Sequence, residues 1–189
     1  IVLNVAQMLS RTTYGLTLPS MQEGLGLSYS QAGGLTTAQG LLSTIAFFIF
    51  GILVTRYSSR YIVVVTSIVG GVAMVLLGSS PNFQFALLMS GVLGLGAGGS
   101  TVASVALLTT WFESRHRGTA VGLTAAGGGA SYLVVGAIVP WLIGRDLVDG
   151  WRHSWYFMAA ILLATGVLAA VFLKDSPGNA GSLRRSQGL

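Results

Sequence analysis

Six long apolar runs alternate with short polar connectors along the chain. They lie at about 1–21, 30–54, 61–78, 84–110, 118–143 and 154–173. Each is close to the roughly 20 residues that a helix needs to cross a hydrocarbon core. The pattern predicts an all-α polytopic membrane protein with six transmembrane helices. Residues 1–173 form its bundle. Beyond Lys174 the chain turns polar through Asp175, Ser176, Pro177, Gly178 and Asn179 to Arg184 and Arg185, so 174–189 reads as a linker leaving the membrane. The first run starts at Ile1 with no initiator methionine, and no signal peptide is recognisable ahead of it. The expectation is that the chain starts inside a longer sequence.

Composition narrows the class. Of 189 residues, 52% are hydrophobic and only 8% charged, where a soluble domain carries about 25% charge. So few charges cannot cover a water-exposed surface, and so apolar a chain is not disordered. With no cysteine, disulfide frameworks, thiolate metal sites and cysteine nucleophiles are excluded. The net charge of +5 does not point to nucleic acid, because no segment shows a dense basic face with interleaved aromatics.

The positive charges instead report orientation. Arg56, Arg60, Arg115, Arg117, Lys174, Arg184 and Arg185 fall on one side of the predicted spans. Arg145 and Arg152 fall on the other, offset by Asp146 and Asp149. The excess side is expected to be cytoplasmic, which puts both ends of the segment in the cytoplasm of an inner or plasma membrane. Trp111, Trp141, Trp151 and Trp155 stand near run ends and are expected to be interfacial anchors.

Glycine concentrates in the fourth and fifth runs. Gly94 with Gly98, and Gly118 with Gly122, have the spacing that lets helix backbones approach closely in lipid. These two helices are therefore expected to be interior, and the third and sixth, richer in Val, Leu, Ile and Phe, to face lipid. Gly98-Gly99-Ser100 does not complete a nucleophile elbow, and no span holds a histidine. No nucleophile–base pair and no metal-ligand cluster can be assembled, so neither an enzyme nor a cofactor is expected.

Arg11 is the one charge inside a run. A cation at that depth costs about 2.5–3.5 kcal/mol on insertion scales and marks function by default. Asn4, Gln7 and Tyr14 share its helical face, and Ser10, Thr12, Thr13 and Thr17 widen the polar sector. No Asp or Glu lies in any span. The partner of Arg11 is then either an anionic solute, which suits the fixed fork of arginine, or an acid on sequence outside this segment. Uncharged cavity candidates are Gln31, Thr37 and Gln39 in the second helix, Ser100, Thr101 and Ser104 in the fourth, and Thr124, Ser131 and Tyr132 in the fifth. The favoured solute contacts are Arg11, Tyr14, Gln7, Gln39, Ser104 and Tyr132.

Several segments resemble one family. Gly51, Leu53, Arg56 and Arg60 match the signature loop between helices two and three of the major facilitator superfamily. Thr55 stands in place of its usual Asp, and Ser58 in place of its usual Gly. Tyr14-Gly15, Pro19, Leu25 to Ser28, Gln31 to Gly33, Trp111-Phe112, Arg117-Gly118, Ala120, Gly122-Leu123, Gly150 to Arg152 and Lys174 to Pro177 resemble other segments of it. The flavour resembles bacterial monocarboxylate or oxalate–formate transporters.

The resemblance implies the amino-terminal half of a twelve-helix fold, itself a 3+3 inverted repeat, with 174–189 opening a cytoplasmic central linker. It implies that helices one, two, four and five line a cavity, that a carboxy-terminal half is the partner, and that Gly51, Thr55, Arg56 and Arg60 serve the conformational latch. Thr55 cannot supply the latch charge. The arginine often seen early in helix four is absent near Gly91, and Gly128 stands where antiporters carry proline. The expected function is secondary active or facilitative transport of a small organic anion such as a carboxylate, by alternating access. The alternatives are a non-transporting six-helix membrane protein and a homodimeric six-helix carrier.

Overall fold

The computed structural model describes the backbone of residues 2–111, 114–145 and 149–172, and within these the side chains from Thr12 onward except those of 110–111, 114–115, 117, 145 and 172. Six helices account for almost all of it: α1 (Val2–Leu25), α2 (Tyr29–Arg56), α3 (Ser59–Gly78), α4 (Phe83–Trp111), α5 (Ser114–Arg145) and α6 (Gly150–Phe172). The helices α2 to α6 are each long and apolar enough to cross a membrane.

The helices run a few residues past the apolar runs because their ends are capped. Gly26, at φ 61°, takes the left-handed conformation that closes α1. Its N–H bonds to the Glu23 carbonyl and that of Leu27 to Gln22, the paired closure of a Schellman motif. Two residues on, the Ser28 hydroxyl accepts from the Gln31 N–H while the Gln31 side chain accepts from the Ser28 N–H, a capping box that starts α2. Asn82 starts α4 by accepting from the Phe85 N–H.

The packing order is not the chain order. α4 lies between α2 and α3, α6 packs against α3 and α1, and α5 lies against α1. The series α2–α4–α3–α6–α1–α5 reads the same backwards when the first three helices are exchanged for the last three. Because consecutive helices alternate in direction, the exchange also inverts them, which is the 3+3 inverted repeat.

α4 is interior because its glycines admit two neighbours at once. A Cβ at Gly98 would lie 2.5 Å from the Ser43 carbonyl oxygen and 2.6 Å from the Ala46 Cβ, and one at Gly94 would run into the Gln39 carbonyl. On the other face, a Cβ at Gly96 would lie 2.9 Å from the Thr66 carbonyl oxygen. There a buried Thr66–Ser100 hydroxyl pair, 2.7 Å apart, ties α3 to α4. Such close approach supplies the contact that hydrophobic drive cannot supply in lipid.

α5 departs from its expected interior position. Gly118, Gly122, Gly129 and Gly136 have nothing within 4 Å, and α3 is the more buried of the two helices. Glycine marks close approach only where a neighbour exists, and among the described residues the face with these four glycines has none, whereas Gly128 is buried on the face turned to the bundle. α3 instead buries Gly70, Gly71 and Gly78 and turns Ile68, Val69, Val72 and Leu76 outward.

The tryptophans also divide. Trp141 is exposed, whereas Trp151 and Trp155 are buried, and the side chain of Trp111 lies outside the described residues. At i and i+4 the two buried rings share the inner face of α6. Trp155 meets Tyr14 edge to face at 5.3 Å, in a core shared with Met21, Met74, Leu93 and Leu162. Trp155→Ala is expected to cost about 3–5 kcal/mol by opening a cavity there. Thermal unfolding in detergent checks it, and an unchanged midpoint would contradict this packing.

Candidate solute-binding groove

The side chains of Gln7 and Arg11 lie outside the described residues, although both positions are on the α1 helix. Tyr14 points into the bundle, only 3% exposed. The Ser90 hydroxyl donates to the Ala86 carbonyl, so the Tyr14 hydroxyl donates to Ser90 across 2.9 Å. Both its ring and its hydroxyl are thus engaged between α1, α4 and α6. Thr13 and Thr17 are buried with it, and Thr17 donates to the Thr13 carbonyl.

Gln39 lies in a different setting. It lines a groove of about 400 Å³ between α2 and α4, with Thr36, Gly40, Ser43, Thr44, Phe47 and Ala97. Thr36 and Thr44 donate to the carbonyls of Gly33 and Gly40 in their own helix, leaving oxygen lone pairs toward the groove. The Gln39 Nε2 is buried and makes no hydrogen bond. A buried amide donor left unmet costs about 1–3 kcal/mol, which is recovered if the side chain turns into the groove to meet an acceptor.

The Ser104 hydroxyl is also buried without a partner, as are the Ser67 hydroxyl and the Trp151 and Trp155 indole N–H groups. Ser104 stands seven residues after the groove-lining Ala97, on the same face of α4. Tyr132 is 59% exposed on α5. The other polar candidates are committed locally. Gln31 caps α2, Ser100 is held by Thr66, and Thr101 and Thr124 bond back to carbonyls four residues earlier. Thr36, Thr44 and Phe47 were not singled out from the sequence. With Gly40 they fall at i, i+4, i+8 and i+11, and that shared helical face is the signal that finds them.

In the signature loop, Gly51 has nothing within 4 Å of a Cβ position, and Thr55 is exposed and donates to the Ile52 carbonyl at 2.7 Å. Arg56 is exposed at the end of α2. Arg60 is half-buried and donates through Nη2 to the Ala170 carbonyl at 2.6 Å.

Six helices in an inverted repeat, with a polar first helix and open glycine faces at both edges, define a multi-pass membrane bundle. The chain belongs to the Major Facilitator Superfamily, whose family model matches residues 1–188. It is similar to a probable sulfoacetate transporter, SauU, of Cupriavidus necator, at 28% identity over 89% of this chain and 39% of that protein. It is similar to a probable hexose phosphate transport protein of Chlamydia trachomatis, at 24% over 91% of this chain and 37% of that protein. A probable 4-methylmuconolactone transporter of Cupriavidus pinatubonensis is 32% identical over 82% of this chain and 36% of that protein. The fold is shared with the crystal structure of a bacterial homologue of the human lysosomal transporter Spinster, inward-facing and unoccupied, at TM-score 0.80 and 16% identity over 93% of this chain and 42% of that one. The chain spans about two-fifths of the length of these relatives.

Proposed function

We propose that this chain is the amino-terminal half of a secondary active or facilitative transporter that moves a small organic anion, such as a carboxylate, across a bacterial plasma membrane by alternating access. The family match over nearly the whole chain carries the reading. Both ends of the segment lie in the cytoplasm, and 174–189 opens the linker to a second six-helix half. That half seats on the open faces of α2, at Gly33, Gly40 and Gly51, and of α5, at Gly118, Gly122, Gly129 and Gly136, where a Cβ would meet nothing.

The anion is held from the α1 side by Arg11 and Gln7 and from the α2–α4 groove by Gln39. Ser104 and Tyr132 contact it from α4 and α5. The unmet Gln39 amide supports this, being a donor without an acceptor. So does the absence of any Asp or Glu within the predicted spans, which leaves Arg11 without a carboxylate partner in this segment. Two of the relatives are named for anions, sulfoacetate and hexose phosphate. Tyr14 serves the core in this reading, since its hydroxyl is engaged by Ser90. Thr55 carries no charge, so the latch is closed by other groups.

Uptake into proteoliposomes of the full-length protein tests the proposal. A panel of carboxylates, sulfonates and phosphate esters is compared with neutral sugars of the same size. At least one anion is expected to be carried, and transport confined to neutral or cationic solutes would overturn the anion assignment. Gln39→Leu is expected to raise the KM for the anion about tenfold, the loss of one hydrogen bond to a charged group. An unchanged KM would remove Gln39 from the site.

A further inference from the structure

The antiparallel pair α3–α6 is tied at both ends by arginines that the inverted repeat relates. At one end Arg152, near the start of α6, donates to the Gly78 and Ser80 carbonyls at the end of α3, at 2.8 and 3.4 Å. At the other, Arg60, near the start of α3, donates to the Ala170 carbonyl near the end of α6. The backbone roles match, but the charge surroundings do not. Arg152 is paired through Nε with Asp149 at 2.9 Å and lies over the Trp151 ring at 4.5 Å. Arg60 has the single carbonyl and, among the described residues, no acid. The described acids, Glu23 and Asp149, both lie at the opposite end of the bundle, and the two acids that the sequence puts on the Arg60 side, Glu113 and Asp175, lie outside the described residues.

Arg60 also lines a cavity of about 310 Å³, together with Ser58, Tyr61, Val64 and Ala170. Below it the pair presents apolar side chains outward. On α3 these are Val65, Ile68 and Val72, and on α6 Val167, Leu168 and Val171. An arginine with donors beyond its one carbonyl bond, an exposed tyrosine beside it and an apolar wall running down the membrane make a site for a headgroup whose tails lie along the same wall. A soluble anion uses only the first of these features.

We infer that the cavity beside Arg60, between the start of α3 and the end of α6, binds the phosphodiester headgroup of an anionic membrane lipid, which supplies the counter-charge that Asp149 supplies to Arg152. The lipid holds the arginine and the two helix ends together from the bilayer side. The inference rests on the membrane fold and not on the solute, so its failure leaves the transport reading untouched.

Native mass spectrometry of the full-length protein, with added phosphatidylglycerol or phosphatidylcholine, tests the site. Phosphatidylglycerol is expected to be retained in preference to phosphatidylcholine, and soluble glycerophosphate is not expected to displace it. Arg60→Gln is expected to lower retention about tenfold, the loss of a charge-assisted pair. Arg56→Gln removes the same charge from an exposed position four residues away and is expected to stay within about twofold of the wild type.

Because Arg60→Gln also releases the end of α6, a second variant keeps the arginine and its carbonyl bond. Tyr57→Asp puts an acid three residues before Arg60, as Asp149 stands before Arg152, at an exposed position whose backbone N–H bonds to the Leu53 carbonyl in any case. It is expected to fold and to lose phosphatidylglycerol as Arg60→Gln does. Wild-type retention by Tyr57→Asp, equal retention of phosphatidylcholine, equal loss in Arg56→Gln, or displacement by glycerophosphate would each overturn the lipid site.

Discussion

Replacing Arg11 with alanine is expected to abolish anion uptake while leaving the protein folded and inserted. The two candidate partners of the arginine predict opposite effects on stability. If Arg11 holds the solute, its removal relieves the insertion cost of about 2.5–3.5 kcal/mol, so yield and melting temperature hold or rise. Transport falls about a hundredfold, the loss of a bidentate charge-assisted contact. If Arg11 instead pairs with an acid on sequence outside this segment, its removal strands a buried carboxylate and destabilises the protein by about 3–5 kcal/mol. Arg11→Lys is expected to recover about a tenth of the uptake, since a point charge replaces a planar fork. Proteoliposome uptake and thermal unfolding on the same preparations separate the outcomes. Normal uptake by a folded Arg11→Ala protein would sink the anion site, and a collapsed melting temperature would move Arg11 to an ion pair.

Gly98→Val is expected to be the most damaging substitution in the packing, at about 3 kcal/mol or more. The new Cβ would stand 2.5 Å from the Ser43 carbonyl oxygen and 2.6 Å from the Ala46 Cβ. Backbone in a helix cannot turn aside as a side-chain tip can, so α2 and α4 must separate. Gly122→Val has the same GxxxG pedigree and nothing within 4 Å. Its stability is expected to change by no more than about 0.5 kcal/mol, while its transport falls if the face of α5 meets the second half. Melting temperatures of the two purified variants check the contrast. Equal effects on stability would mean that α4 is not the close-packed helix described above.

The number and approximate extent of the helices were legible, because long apolar runs between short polar connectors have few other readings. So was the interior position of α4, from its glycines. The same signal misled on α5, since glycine density reports a close approach without saying whether the neighbour lies in the same segment. Trp151 and Trp155 sit near a run end as interfacial anchors do, and only the i, i+4 register, read against a neighbour, turns both inward, Trp155 onto Tyr14 and Trp151 onto Gly24. Tyr14 belonged to the Arg11 stripe by periodicity, yet its hydroxyl found Ser90, 76 positions along the chain. Gln39 was legible as a polar residue in an apolar run. That its amide has no acceptor is a matter of packing, which spacing alone does not carry.

The mismatch between chain order and neighbour order has a consequence for synthesis. α1, the most polar of the six helices and the one that carries Arg11, packs mainly against α5 and α6, the last two of this segment to be made. At ribosomal speeds about 120–150 residues separate it from those partners, a delay on the order of ten seconds. For that interval the least membrane-compatible helix has little to shield it from lipid. Its early life therefore depends on being held at the site of insertion until the later helices arrive, and the biogenesis machinery becomes a temporary substitute for α5 and α6.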